Sequence, residues 1–152
     1  MRTRGFEVAK GFEEKGVNLP KRKTVGSAAY DIEAIEDVVI PSFKLGVKPT
    51  LIKTGLKAYM QQDEVLKLFP RSSAPKKQGI LFPHSAGIID SDYYENEDND
   101  GHIMVQCINI KEEDVVIHKG DTVAQAIFEK YLVADNDDST GKRTGGFGST
   151  DK

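Results

Sequence analysis

Gly87-Ile88-Ile89-Asp90-Ser91-Asp92-Tyr93 is the stretch on which the reading of this chain turns. Two large aliphatic residues, Ile88 and Ile89, read as the end of a buried strand, and two acids and a tyrosine follow at once. Carboxylates directly behind buried strand residues are costly unless they stand at a rim where water or a ligand meets them. Asp-Ser-Asp is also ordinary turn chemistry. On these seven residues alone a turn is the simpler reading, and the flanking sequence has to decide.

Short apolar runs lie on both sides. Residues 6–9, 28–34, 38–40 and 65–69 read as strands, the last ended by Pro70. Residues 44–60 alternate loosely and are broken by Pro49 and Gly55, which predicts two strands and a turn. Downstream, 80–82 and 86–89 are short strand pieces, and 102–110 alternates with Ile103, Val105 and Cys107 on one face. A strand over 114–118 and a turn at Lys119-Gly120-Asp121 lead into a long apolar strand or strand pair over 122–133. Residues 10–27 form a polar loop with a basic knot at Lys21-Arg22-Lys23, and 94–101 a strongly acidic hairpin tip. One short helix is expected over 71–79: Ser72 or Ser73 could cap it, Pro75 sits in its first turn, and Gly79 stops it. Many short strands at close spacing predict an all-β sandwich or barrel. Residues 1–134 make one domain, followed by a linker and glycine-rich arm over 135–152.

The totals narrow the function classes. A chain of 152 residues with 30% charged and 38% hydrophobic residues has a soluble globular composition and can bury a sizeable core. A net charge of −3 with mixed signs argues against a generic nucleic-acid binder, but leaves room for a small anionic ligand. No apolar run reaches membrane-spanning length, and no apolar signal segment follows the basic start. The single cysteine, Cys107, excludes an intrachain disulfide, so a reducing, cytoplasmic setting is expected. No Cys/His cluster has zinc-ligand spacing, and His84, His102 and His118 lie far apart outside any nucleophile motif.

Several stretches carry candidate chemistry. Arg71-Ser72-Ser73 at a helix start offers backbone N–H groups and a forked cation suited to a phosphate; the plainer alternative is a cap beside a surface arginine. In the arm, Gly145, Gly146 and Gly148 let the backbone approach a ligand, Ser149 and Thr150 add hydroxyls, and Arg143 could close over a terminal phosphate. A disordered end is the alternative there, although Phe147 among the glycines suggests a ring that docks. Gln125 is the polar residue in the apolar run 123–128: buried, its amide needs partners; facing solvent, it is simple alternation. Asp31 and Asp90 suit a hard cation such as Mg²⁺ or a general base acting on water.

Together these stretches resemble the homotrimeric dUTPase family, most closely its versions from Gram-positive bacteria and their phages. Five family motifs occur in the family's order: Ala28-Ala29-Tyr30-Asp31-Ile32-Glu33-Ala34, Pro70-Arg71-Ser72-Ser73, Gly87 to Tyr93, Gly120-Asp121-Thr122-Val123-Ala124-Gln125, and Gly145-Gly146-Phe147-Gly148-Ser149-Thr150. The resemblance implies a jelly-roll β fold and a homotrimer whose active sites are each built from all three subunits. It implies hydrolysis of dUTP to dUMP and pyrophosphate, limiting uracil in DNA and supplying dUMP for dTMP. Under it, Asp90 orients and deprotonates the attacking water, Tyr93 packs under the deoxyribose and excludes a 2′-hydroxyl, and the strand around Met104 reads uracil through its backbone. His84 and Gly87 fall beside that base site. Arg71, Ser72, Ser73 and Gln125 hold phosphates, and Asp31 holds Mg²⁺ through water. The arm closes as a lid, with Phe147 over uracil, Arg143 on the γ-phosphate, and Gly148, Ser149 and Thr150 along the phosphates.

The chain also departs from the family pattern. His84 stands where asparagine is usual, and Thr122 where a basic residue is common. The segment 94–100 before Gly101 is longer than the family's, and is expected to project into solvent or to offer a surface for a protein partner. Lys142 holds the usual place of the arm's arginine, with Arg143 one residue later; only arginine offers the fork. Asp151 stands where the family usually ends on glycine. A related dCTP deaminase would show Ile-Asp-Pro-Gly at 89–92, which this chain lacks.

Overall fold

The computed structural model describes residues 1–151. Among them ten strands follow in order: β1 (Gly5–Val8), β2 (Tyr30–Glu33), β3 (Val38–Ile40), β4 (Thr50–Tyr59), β5 (Glu64–Phe69), β6 (Ile80–Leu81), β7 (Gly87–Asp90), β8 (Ile103–Asn109), β9 (Val115–Ile117) and β10 (Thr122–Lys130). β8 shows why they form: Ile103, Val105, Cys107 and Asn109 face inward while Met104, Gln106 and Ile108 are half exposed, the two-residue period of a strand with one buried face. The strands pair antiparallel into two four-stranded sheets, β1-β4-β8-β6 and β2-β10-β5-β7, with β3 and β9 as a separate pair. One hydrophobic cluster joins both sheets through Ile52, Leu56, Ile103 and Val105 on one side and Ile32, Leu66, Leu68 and Val123 on the other. Each fully buried aliphatic side chain there contributes about 1.5–3 kcal/mol. The all-β jelly-roll expectation holds, as a two-sheet fold that does not close into a barrel. No helix among the described residues is long and apolar enough to cross a membrane.

The structure corrects several local expectations. Residues 44–60 do not make two strands: a 3-10 turn at Phe43–Leu45 precedes the single ten-residue strand β4. Gly55 bends that strand without ending it. Its φ of +72° and the register shift between Lys53 and Leu56 mark a bulge against β8. The expected strand through 133 stops at Lys130, because its β5 partner begins at Glu64; Leu132 and Val133 are exposed. The helix over 71–79 shrinks to one π-helical turn, Ala74–Gln78. Ser73 makes no capping hydrogen bond, while Pro75 in the first turn and Gly79, left-handed at φ 69°, act as expected.

Ile88 is not buried: at 56% exposure it faces outward from β7, and Ile89 alone packs against the core. The acidic segment 94–101 does not project as a free tip. Lys57 Nζ donates to Glu95 Oε1 and to Asp100 Oδ2, each at 3.0 Å, Tyr94 Oη donates to Glu7, and Asn96 is buried. Burial works against the Lys57 ammonium, but these hydrogen bonds outweigh it and raise its pKa.

Candidate active site

β7 lies beside β5, with Asp90 opposite Val65 at its end. A 3-10 turn, Ser91–Tyr93, then carries Tyr93 inward to 7% exposure. The Tyr93 hydroxyl donates to the carbonyl of His102 at 2.6 Å and accepts from Asn99 Nδ2 at 2.8 Å. Burial pushes the phenol's pKa up, against the opposing Asn99 donor, so the hydroxyl stays protonated at neutral pH.

In front of this turn is a cavity of about 320 Å³ between β7, β8 and the C-terminal arm. His84, Gly87, Asp90, Tyr93 and Met104 line it from the body, and Arg143, Phe147, Gly148 and Thr150 from the arm. The walls include Leu68, Phe82 and Val105, so a flat apolar ring would find both apolar contact and the polar backbone of β8. Gly87 sits close against β5; a Cβ there would lie 3.1 Å from that of Leu68. The exposed His84 ring stacks on Phe82 at 5.7 Å with 3° between planes.

The arm is tied down by Arg143, whose side chain is only 10% exposed. Its Nη2 donates to Asp90 Oδ2 at 2.6 Å and its Nε to Asp92 Oδ1 at 2.8 Å. Ser149 Oγ turns back to donate to Gly145 O at 2.8 Å, away from the cavity lining.

The remaining sequence candidates gather elsewhere. Asp31 on β2 lies opposite Gln125 on β10, which lies opposite Phe69 on β5. Gln125 Nε2 donates to Pro70 O at 3.1 Å, which settles its amide on the loop that carries Arg71. Arg71 Nε is 3.8 Å from Asp31 Oδ1, Ser72 is exposed, and Ser73 leads into the π-helical turn. None of Asp31, Arg71, Ser72, Ser73 and Gln125 lines the Asp90 cavity. The strand order β2-β10-β5-β7 puts Asp31 and Asp90 on opposite edges of one sheet. That is three strand spacings, roughly 14 Å. The registers add four residues along β5, from Phe69 to Val65, or roughly 13 Å more.

Asp31 fits a hard cation held through water. Its Oδ2 is buried with no hydrogen-bond partner, and Lys23 Nζ comes only to 3.8 Å. Among the described residues no group of three or more His, Cys, Asp or Glu converges, so a cation at Asp31 would draw most of its ligands from water and phosphate. Mg²⁺ is commonly bound in this way, through one or two carboxylates with waters and substrate phosphates.

The dUTPase family model matches residues 15–151, which include all five motifs. The chain belongs to the dUTPase family. The deoxyuridine 5'-triphosphate nucleotidohydrolase of Lactococcus lactis is 53% identical over 152 residues, covering 99% of each chain. That of Debaryomyces hansenii is 36% identical, over 91% of this chain and 83% of its own. The crystal structure of the Streptococcus mutans dUTPase superposes with a TM-score of 0.80 at 41% identity, covering 87% of this chain and 99% of that one. A dUTPase from Staphylococcus aureus phage phi11 shares the fold at 18% identity, with a TM-score of 0.70 over 92% of this chain and 98% of that one. Coordination of a structural Mg(II) ion has been described in that phage protein. Hydrolysis of dUTP is the function of the family, and its Gram-positive members are among this chain's relatives.

Sequence reasoning missed the support beneath the dUTPase motifs. Asn96 and Asn99 read as ordinary members of an acidic run, yet they hold Tyr93. Two asparagines shortly before a glycine are a turn signal in their own right, and that was the available clue.

Proposed function

We propose that this dUTPase hydrolyses dUTP to dUMP and pyrophosphate through water held by Asp90 and directed at the α-phosphorus. The observation that carries the reading is the cavity in front of β7, with Asp90 at its rim and the Tyr93 ring beside it. Asp90 takes the proton of the attacking water. Tyr93, fixed by two hydrogen bonds, supports the deoxyribose and leaves no room for a 2′-hydroxyl. The backbone of β8 near Met104 reads the uracil edge, with His84 and Gly87 beside it.

Asp31, Arg71, Ser72, Ser73 and Gln125 lie too far from Asp90 in one chain to touch the same triphosphate. A homotrimer, in which one subunit's Asp90 cavity faces another's Arg71 edge, brings the two together. The arm then closes with Phe147 over the base, and Arg143, Gly148, Ser149 and Thr150 along the phosphates, excluding water from the chemistry. The body 1–134 and the arm 135–152 are separate working parts. When bound at Asp31 through water, Mg²⁺ supplies neutralisation of phosphate charge.

A cytoplasmic setting suits the single cysteine, Cys107, which is buried and whose thiol burial pushes up to about 12. The outer side of 94–101, where Glu97 is exposed, offers a place for a basic protein partner to rest.

Pyrophosphate release from dUTP, dTTP, dCTP and UTP in parallel tests reaction, base reading and sugar reading together. Release from dUTP alone is expected. Comparable release from UTP removes Tyr93 as the sugar gate, and ammonia release from dCTP replaces the reaction with deamination.

A further inference from the structure

The loop after Tyr93 is held at its ends and in its middle. Beyond the Lys57 contacts, the Lys10 N–H donates to Asp100 Oδ2 at 2.8 Å. Asn96 Nδ2 donates to Tyr93 O and to Asn99 Oδ1, both at 2.8 Å. Its Oδ1 accepts from the backbone N–H of Asp98 at 3.0 Å and of Asn99 at 3.2 Å. Asn99 Oδ1 also accepts from Gly101 N at 3.1 Å. With its oxygen engaged twice, the Asn99 amide can present only its nitrogen to Tyr93 Oη. The tyrosine proton is already given to His102 O.

The same amide meets the arm. Gly145 and Gly146 are both buried. A Cβ on Gly146 would lie 2.8 Å from Asn99 Nδ2 and 3.5 Å from the Tyr93 ring. A Cβ on Gly145 would lie 3.2 Å from Asp98 Oδ2, which also accepts from Gly146 N at 3.5 Å. At Gly146 a side chain would collide with the Asn99 amide, and at Gly145 it would press on Asp98, so glycine lets the arm come this close. Arg143 Cζ completes the contact, 5.7 Å from the Tyr93 ring centre.

We propose that Asn99 is a positioning residue that joins the arm to the sugar gate: one amide sets the Tyr93 ring and, with Asp98, forms the floor on which Gly145-Gly146 docks. The inference rests on the reading of Tyr93 as the residue that excludes a 2′-hydroxyl. It gives the extra length of this loop a task inside the enzyme. Discrimination against UTP then depends on arm closure as well as on the tyrosine itself.

Two variants of the full-length enzyme test this. Asn99→Asp keeps the volume and the oxygen used by Asn96 and Gly101 but loses the donor to Tyr93. Gly146→Ala changes only the arm and places a methyl against the Asn99 amide. The readouts are kcat/KM for dUTP and for UTP, and tryptic cleavage at Lys142 and Arg143 with the imido analogue of dUTP bound. Both variants are expected to lower the dUTP preference about tenfold, the size of one lost hydrogen bond, and to speed cleavage of the arm. The double variant should be no worse than the weaker single one, because both act on one contact. Unchanged preference and cleavage in Asn99→Asp, or fully additive effects, would overturn the proposal. Tyr93→Ala separates the two layers: an unchanged dUTP preference there sinks the gate reading, and arm cleavage in Asn99→Asp then decides the docking role on its own.

Discussion

Arg143 Nη2 donates to Asp90 Oδ2 at 2.6 Å, while Nε of the same guanidinium donates to Asp92 Oδ1 at 2.8 Å. One planar fork therefore spans the two acids of the stretch 90–92 and brings the arm onto the cavity. A lysine at this position has one charged point and cannot span both. Arg143→Lys should lower kcat/KM for dUTP at least about tenfold. Truncation after Thr140 should lower it further while leaving the melting temperature of the body within a few degrees. Steady-state kinetics beside a thermal melt checks both, and an unaffected rate would remove the arm from the site.

Asp90 is a base only if its carboxylate handles the proton. Asp90→Asn keeps the shape and hydrogen-bonding reach but not the basicity. Turnover should fall roughly 10²- to 10⁴-fold with dUTP affinity retained. Single-turnover kinetics and calorimetric binding of the imido analogue separate the two quantities. Near-normal turnover would mean that the water is oriented by another group.

His102 links the fold to pH. Its Nε2 accepts from Gly55 N at 3.0 Å and its ring lies 4.5 Å from that of Phe12, so only the neutral form fits. Burial lowers its pKa from the usual 6.5 to about 4. The unfolded chain then binds more protons in that window, so the contribution is whole above pH 6.5 and is lost as pH falls toward about 4. Unfolding free energy measured by urea titration should drop across this range. His102→Gln, which can accept the same N–H without titrating, should flatten the drop; an identical acid limb would assign it to other groups.

Gly55 is required by its backbone. At φ +72° a side chain is strained, and a Cβ would lie 2.8 Å from Val17 Cγ2. Gly55→Ala should cost about 1–3 kcal/mol of stability. Chemical denaturation reads this directly, and a loss under about 0.5 kcal/mol would show that both the bulge backbone and the 10–27 loop relax around alanine.

Much of the fold was legible because strand burial has a period of two and turn residues punctuate it. Alternation alone puts Ile103, Val105 and Cys107 on one face, and they are buried. Gly55 misled because a glycine that bends a strand and one that ends it look alike; the difference lies in the β8 partner that continues past the bulge. Ile88 misled because an aliphatic residue facing outward is identical in sequence to one facing the core.

Asp90 and Tyr93 line one cavity. By itself the sequence determined the all-β class, the family, and the residue types able to handle a triphosphate, since these follow from local pattern and from motifs read in order. Only the tertiary structure decided which of them meet. It set Asp90, Tyr93 and Arg143 around one cavity and left Asp31, Arg71 and Gln125 together away from it, around the far ends of β2, β10 and β5. It also turned an acidic run into a brace for Tyr93. Those placements depend on strand order and on contacts between residues distant in the chain, such as Arg143 with Asp90, for which no local pattern exists.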